Sequence, residues 1–382
     1  MLPYGRQNIN QDDIDAVIDV LQSEFLTQGP MVPLFEEKIT SYTKAHYAVA
    51  VNSATSALHI ACLALGFNEG DWLWTSPITF VATANAGVYC GAKIDFIDID
   101  PKTYNLSPHA LEEKLIIAKK ENRLPKIIIP VHLCGQSCDM ESIFNLSQKY
   151  GFKIIEDASH AIGGKYKNKP VGNCTYSDVT IFSFHPVKII TTAEGGMAVT
   201  NNKSTSQKMR LLRSHGVTRD SELMLNNSEE AWYYQQVVLG YNYRMTDIQA
   251  ALGCSQINRL DEFISKRHEL KKRYDKSLNQ VVKIPYQHPD TYSAYHLYPI
   301  LVNDKREQVF NELREKDIGV NVHYIPVYKQ PFYKDMGFVN DYCPDAEEYY
   351  SKEISLPMYP ALSFEQQDYV IEALKTAVKK VS

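Results

Sequence analysis

The chain has 382 residues, 44% hydrophobic and 22% charged, an ordinary globular composition with enough length for two domains. A formal net charge of −5 provides no broad field for nucleic acid, so any anionic ligand has to be held by local groups in a pocket. Apolar runs such as KIIIPVHL fall far short of the roughly 20 residues that cross a bilayer, which predicts a protein without membrane contact.

The start MLPYGRQNIN lacks a charged segment followed by an apolar core, and the seven cysteines are odd in number and scattered. Together these predict an unexported, cytoplasmic chain with reduced thiols. From about residue 40 to 200, short apolar runs alternate with helical segments: YAVAVN then ATSALHIACLAL, DWLWTS then FVATANAGVYC, KIDFIDI then SPHALEEKLIIAKKE, KIIIPVHL then DMESIFNLSQKY. FKIIEDAS and DVTIFSFH add two more strands. This rhythm predicts an α/β fold with a mostly parallel sheet covered on both faces and ligands at the carboxyl ends of its strands. Beyond residue 200 helical text dominates, including a long helix expected around 247–276 that links two domains. A smaller α+β pattern follows, with a helix near 305–317 and a last one near 363–380.

One cluster in VHLCGQSCDM (His132, Cys134, Cys138 and Asp139) has metal-ligand residue types. Its Cys-x3-Cys spacing lacks a second pair, so strand-end packing is the preferred reading and no metal is expected.

The stretch TIFSFHPVKIITTAEGGMAVT raises a sharper question. It sets one lysine, Lys188, after a strand and before Gly195 and Gly196. A lysine at the lip of buried β-structure is costly unless paired or neutral. About thirty residues earlier, IIEDASHA ends a strand with Glu156, Asp157, Ser159 and His160, and Ser183 and His185 precede Lys188. A carboxylate, an imidazole and a lysine at neighbouring strand ends suit pyridoxal phosphate. The lysine closes a Schiff base, and the carboxylate keeps the pyridine nitrogen protonated. VNSATSAL offers a helix start with Ser53, Thr55 and Ser56 for the phosphate. Taken singly, each feature has a plain structural reading: Ser53 as an N-cap, Asp157 capping a turn, His160 in the core, Lys188 snorkelling. Their joint occurrence favours the cofactor.

In order and spacing, VNSATSALHIA, SPITFVATANA, EDASHAIGG, SFHPVKIITTAEGG, RSHG and YNYRMTDIQAALG resemble the DegT/DnrJ/EryC1/StrS sugar aminotransferases. The resemblance implies the aspartate aminotransferase-like type I fold: a large pyridoxal-phosphate domain with an N-terminal arm over 1–250, and a small α+β domain over 251–382. It further implies that Lys188 bears the cofactor, Asp157 meets its ring nitrogen, His160 lies near the ring and Phe80 stacks on it. Ala54, Thr55 and Ser183 would hold the phosphate. Asn242 would reach the phosphate in a neighbouring subunit, requiring a homodimer with shared sites. PYGRQNI, EFLTQGP, NVHYIPVY and EISLP most resemble the members that move the amine of L-glutamate to C4 of a UDP-4-keto-6-deoxy-N-acetylhexosamine. By that likeness Tyr4, Glu24, Phe25, Leu26, Thr27, His185, Asn321, His323 and Tyr324 line the sugar site. NSAT stands where many members read NGT. Three other readings stay open here: another nucleotide 4-keto sugar, sugar 3-dehydration (against which a lysine at 188 argues), and a non-catalytic cofactor-binding regulator.

Overall fold

Runs of β-branched and aromatic residues bounded by polar turns favour strands, and here they pair into one sheet. The structure, a computed structural model, describes residues 1–226, 230–303 and 305–381. Among these the sheet has seven strands: β1 (Tyr47–Val51), β2 (Trp72–Thr75), β3 (Lys93–Phe96), β4 (Ile127–Ile129), β5 (Lys153–Asp157), β6 (Val179–Ser183) and β7 (Gly196–Thr200). Their order is β1-β7-β6-β5-β4-β2-β3. Strands β2 to β6 pair in parallel, whereas β7 is antiparallel to both neighbours. The alternation of side chains across a strand explains how both faces are filled. Val49 and Val51 of β1 join a core shared with helix α1 (Ala54–Ala64), while Ala48 and Ala50 join a separate core behind the sheet. β4, β6 and β7 are buried along their whole length, β4 as an unbroken run of isoleucine and the other two with buried hydroxyl residues among apolar ones.

Helix α2 (Ala82–Tyr89) follows β2 and packs on α1. Past the sheet, the expected single helix over 247–276 is two: α3 (Asp247–Gln256) and α4 (Leu260–Leu278), separated by a 3₁₀ turn at Ile257–Arg259. No glycine or proline marks this break. A polar knot holds it instead, in which buried Asp13 accepts from Ser255 (2.6 Å), from Gln256 (2.7 Å) and from Arg259.

A further core, away from the sheet, gathers Leu270, Tyr274 and Leu278 of α4 with the antiparallel pair β8 (Tyr298–Leu301) and β9 (Glu353–Leu356) and with helices α5 (Arg306–Glu315) and α6 (Phe364–Val381). The amino-terminal Leu2–Pro3 pairs in parallel with Ile318–Gly319 beside this core.

Candidate active site

Open parallel sheets leave a crevice at the carboxyl ends of their strands. Here a cavity of about 490 Å³ lies where β5 and β6 end, where α1 begins, and where residues 321–324 and Tyr4 close over it. Asp157 is the last residue of β5 and is 5% exposed. Its Oδ2 accepts from Thr83 of α2 at 2.7 Å, and its Oδ1 accepts from the Ser159 N–H at 3.1 Å. Both oxygens are therefore anchored, and a carboxylate so held is poised to face a cation.

Lys188 follows β6 in the loop before β7 and lines the same cavity. Lys188 is half-buried as a residue, and its amine makes no hydrogen bond or ion pair among the described residues. Burial pushes its affinity for a proton down to about 8, against the attraction of Asp157. A buried amine without a partner beside an anchored carboxylate is the arrangement the covalent cofactor requires.

At the other end, α1 starts at Ala54. The Ser53 side chain caps the N–H of Ser56 at 3.1 Å, leaving the N–H groups of Ala54 and Thr55 without helical partners at the edge of the cavity. Gly196 lets β7 pass close by, because a Cβ there would stand 2.5 Å from the Ala54 nitrogen and the Ser53 carbonyl. With the Ser183 side chain alongside, these donors form a cradle for an anion at a helix N-terminus. Amine, carboxylate and cradle are the three features pyridoxal phosphate needs, so the residues present fit it.

His160 is buried and its basicity is pressed well below the ordinary histidine value, by burial first and then by Lys188 and His323. Its Nδ1 accepts from the Cys134 N–H at 3.3 Å, so Nε2 carries the proton and donates to the Tyr324 oxygen at 3.2 Å. The Tyr324 hydroxyl hydrogen is thereby left for the cavity. Phe80 is 61% exposed and lines the cavity, with its ring 6.5 Å from that of Tyr324.

Of the residues singled out from sequence, Tyr4, Ala54, Thr55, Phe80, Asp157, His160, Ser183, His185, Lys188, Asn321, His323 and Tyr324 meet around this one cavity. Glu24, Phe25, Leu26, Thr27 and Asn242 do not line it. The 24–27 stretch is exposed and joins Thr246 through Thr27, and exposed Asn242 accepts from Asn52 through its backbone. Thr83, on the anchored side of Asp157, was missed, although a threonine on the helix after SPITF was its signal. The His132 cluster is occupied structurally: its Nε2 meets Glu156 at 2.7 Å and its Nδ1 accepts from the Cys138 N–H at 3.1 Å.

The model of the "DegT/DnrJ/EryC1/StrS aminotransferase family" matches residues 7–375. The chain belongs to that family. It is 40% identical over 391 residues, covering 100% of this chain and 98% of the relative, to the UDP-4-amino-4,6-dideoxy-N-acetyl-beta-L-altrosamine transaminase of Campylobacter jejuni. Among solved structures it is similar to Helicobacter pylori PseC, an aminotransferase involved in pseudaminic acid biosynthesis (TM-score 0.90, 32% identity, 99% of each chain). It is likewise similar to the sugar aminotransferase Spr1654 of Streptococcus pneumoniae in its PMP-form (TM-score 0.91, 30% identity, 100% of each chain). As a DegT-family member it is a pyridoxal-phosphate-dependent sugar aminotransferase of type I fold. The cofactor supplies an aldehyde for the lysine and a ring that withdraws electrons from the substrate carbon. The chain's own residues contribute position, charge and proton movement.

Proposed function

We propose that this aminotransferase moves the amino group of L-glutamate to C4 of UDP-2-acetamido-2,6-dideoxy-β-L-arabino-hexos-4-ulose, forming UDP-4-amino-4,6-dideoxy-N-acetyl-β-L-altrosamine in the cytoplasm. Lys188 Nζ takes the proton from Cα of glutamate and, in the second half, returns one to C4 of the sugar. Asp157 holds a positive charge at the ring nitrogen, and Thr83 and the Ser159 N–H keep its carboxylate aimed. Ala54, Thr55 and Ser183 would bind the phosphate, and Phe80, His160 and Tyr324 would line the space for the ring.

The observation that carries the reading is the partnerless amine of Lys188 beside anchored Asp157 in one cavity. The choice of sugar is supported by the likeness to the altrosamine transaminase along the whole chain. In this reading the sugar lies under Tyr4, Asn321, His323 and Tyr324, with His185 at the mouth. Residues 24–27 and Asn242 serve the site of a second copy of the chain. An apolar row on the helix over Gln11–Leu21 supports such a homodimer, since Ile14, Ile18 and Leu21 are exposed along one side and lead to exposed Phe25 and Leu26.

The test is incubation of the cofactor-loaded protein with glutamate and a panel of UDP- and dTDP-4-keto sugars, with the aminated product read by NMR. Amination confined to the UDP-N-acetyl sugar is expected. A preference for a dTDP sugar overturns the assignment of substrate.

A further inference from the structure

Successive residues of a strand point to opposite faces, so Glu353 and Ser355 of β9 project together. They project toward residues 321–323, to which β9 is pinned by paired backbone bonds between Ser355 and Asn321 of 2.8 and 3.4 Å. Both side chains are fully buried, and His323 is 4% exposed. Ser355 Oγ lies 2.5 Å from Glu353 Oε1 and 2.8 Å from His323 Nδ1. Glu353 Oε2 accepts the His323 N–H at 2.8 Å, and the Tyr349 hydroxyl donates to the His323 carbonyl at 3.0 Å. The imidazole is held at Nδ1 and at its backbone, which leaves Nε2 for the Asn321 amide and for the cavity that both residues line. The Asn321 amide, 3.5 Å from Nε2, can present either end to it.

A serine hydroxyl has one hydrogen to give, so the chain has a direction. If Glu353 carries a proton, it donates to Ser355, Ser355 donates to Nδ1, and Nε2 bears the hydrogen. If Glu353 is ionised, Ser355 donates to it, Nδ1–H donates to Ser355, and Nε2 is bare. Passing from the first state to the second releases one proton, which leaves Nε2 while the negative charge settles on Glu353.

We propose that Glu353 and Ser355 are positioning residues that set the polarity of His323 toward the sugar, neutral Glu353 making Nε2–H a donor to a carbonyl oxygen of the 4-keto-N-acetyl sugar. Ionised Glu353 turns the same nitrogen into an acceptor that repels that oxygen. This rests on the sugar-aminotransferase reading above and adds a determinant of substrate binding to it. Burial raises the Glu353 carboxyl to about 8, the hydrogen bonds from Ser355 and His323 and the attraction of Arg306 opposing, so the donor state prevails at neutral pH. Cys134, Tyr104, Tyr324 and Tyr349 also face Glu353. His323 faces Lys188, His160, His296 and Tyr4. Burial and then Lys188 push His323 down to about 3, so it stays neutral and changes only which nitrogen holds its hydrogen.

Because Lys188 titrates near the same pH, a rate profile alone does not separate the two groups, whereas the histidine tautomer does. The experiment is ¹⁵N-histidine NMR on the full-length, cofactor-loaded protein from about pH 6 to about pH 10. In the wild type, His323 is expected to pass from Nε2–H to Nδ1–H near pH 8. Glu353→Gln, shaped like the neutral acid, stays Nε2–H throughout, and Ser355→Ala loses the pH response. In parallel, the KM for the UDP-4-keto sugar in the second half-reaction rises about tenfold across the wild-type transition and does not rise in Glu353→Gln. A tautomer that is the same in the wild type and Glu353→Gln at every pH overturns the proposal, as does a KM rise that survives that substitution. Failure of the wild type to lose its cofactor absorbance on addition of glutamate overturns the proposed function instead, and leaves the tautomer result standing.

Discussion

At Lys188 the physical conflict is between burial, which disfavours an ammonium, and Asp157, which favours it. Burial wins and brings the group to about 8. The sign follows directly: the amine is mainly protonated below that value and free above it, and only the free amine attacks an aldehyde. Covalent capture of pyridoxal phosphate by the cofactor-free protein is therefore expected to accelerate through a midpoint near pH 8, followed by stopped-flow absorbance. A midpoint near 10, the value of an ordinary lysine, contradicts that account. Thr83 belongs to the same balance, since it holds one oxygen of Asp157 while the backbone of Ser159 holds the other.

Among the elements, the close contact of β7 with the start of α1 shapes the proposed phosphate cradle. A methyl group at position 196 has nowhere to go, because the atoms it meets are backbone. Gly196→Ala is expected to shift the first turn of α1 and weaken cofactor binding about tenfold or more, measured by titration of the cofactor-free protein with pyridoxal phosphate. An unchanged affinity removes the cradle from the argument. Much of this level was legible in the sequence. The strand-helix alternation and the polar residues closing EDASHA and SFHPVK state their periodicity and placement within a few residues, so the sheet and the line Asp157–His160–Lys188 could be read directly. The Thr83–Asp157 bond spans 74 residues and the His323–Ser355 bond spans 32, and local pattern does not encode such pairings. The break at Ile257–Arg259 was invisible for the same reason: its cause is Asp13, more than 240 residues away.

For the whole molecule, a shared site makes a test by mixing possible. If Asn242 of one copy completes the cavity of another, Lys188→Ala and Asn242→Ala subunits are each nearly inactive alone. A mixed dimer then has one intact site, and a refolded equal mixture is expected to recover up to about a quarter of wild-type turnover. No recovery, from variants that still associate, places Asn242 outside the site. The way the chain begins matters at this scale too. Leu2 and Pro3 pair with Ile318 and Gly319 beside the core of β8 and β9, and Tyr4, one residue on, packs its ring 5.0 Å from that of His323 over the cavity. The first residues are thus tied to the core of β8 and β9 at Leu2 and Pro3 and to the rim of the cavity at Tyr4, and a purification handle joined there is expected to disturb that rim.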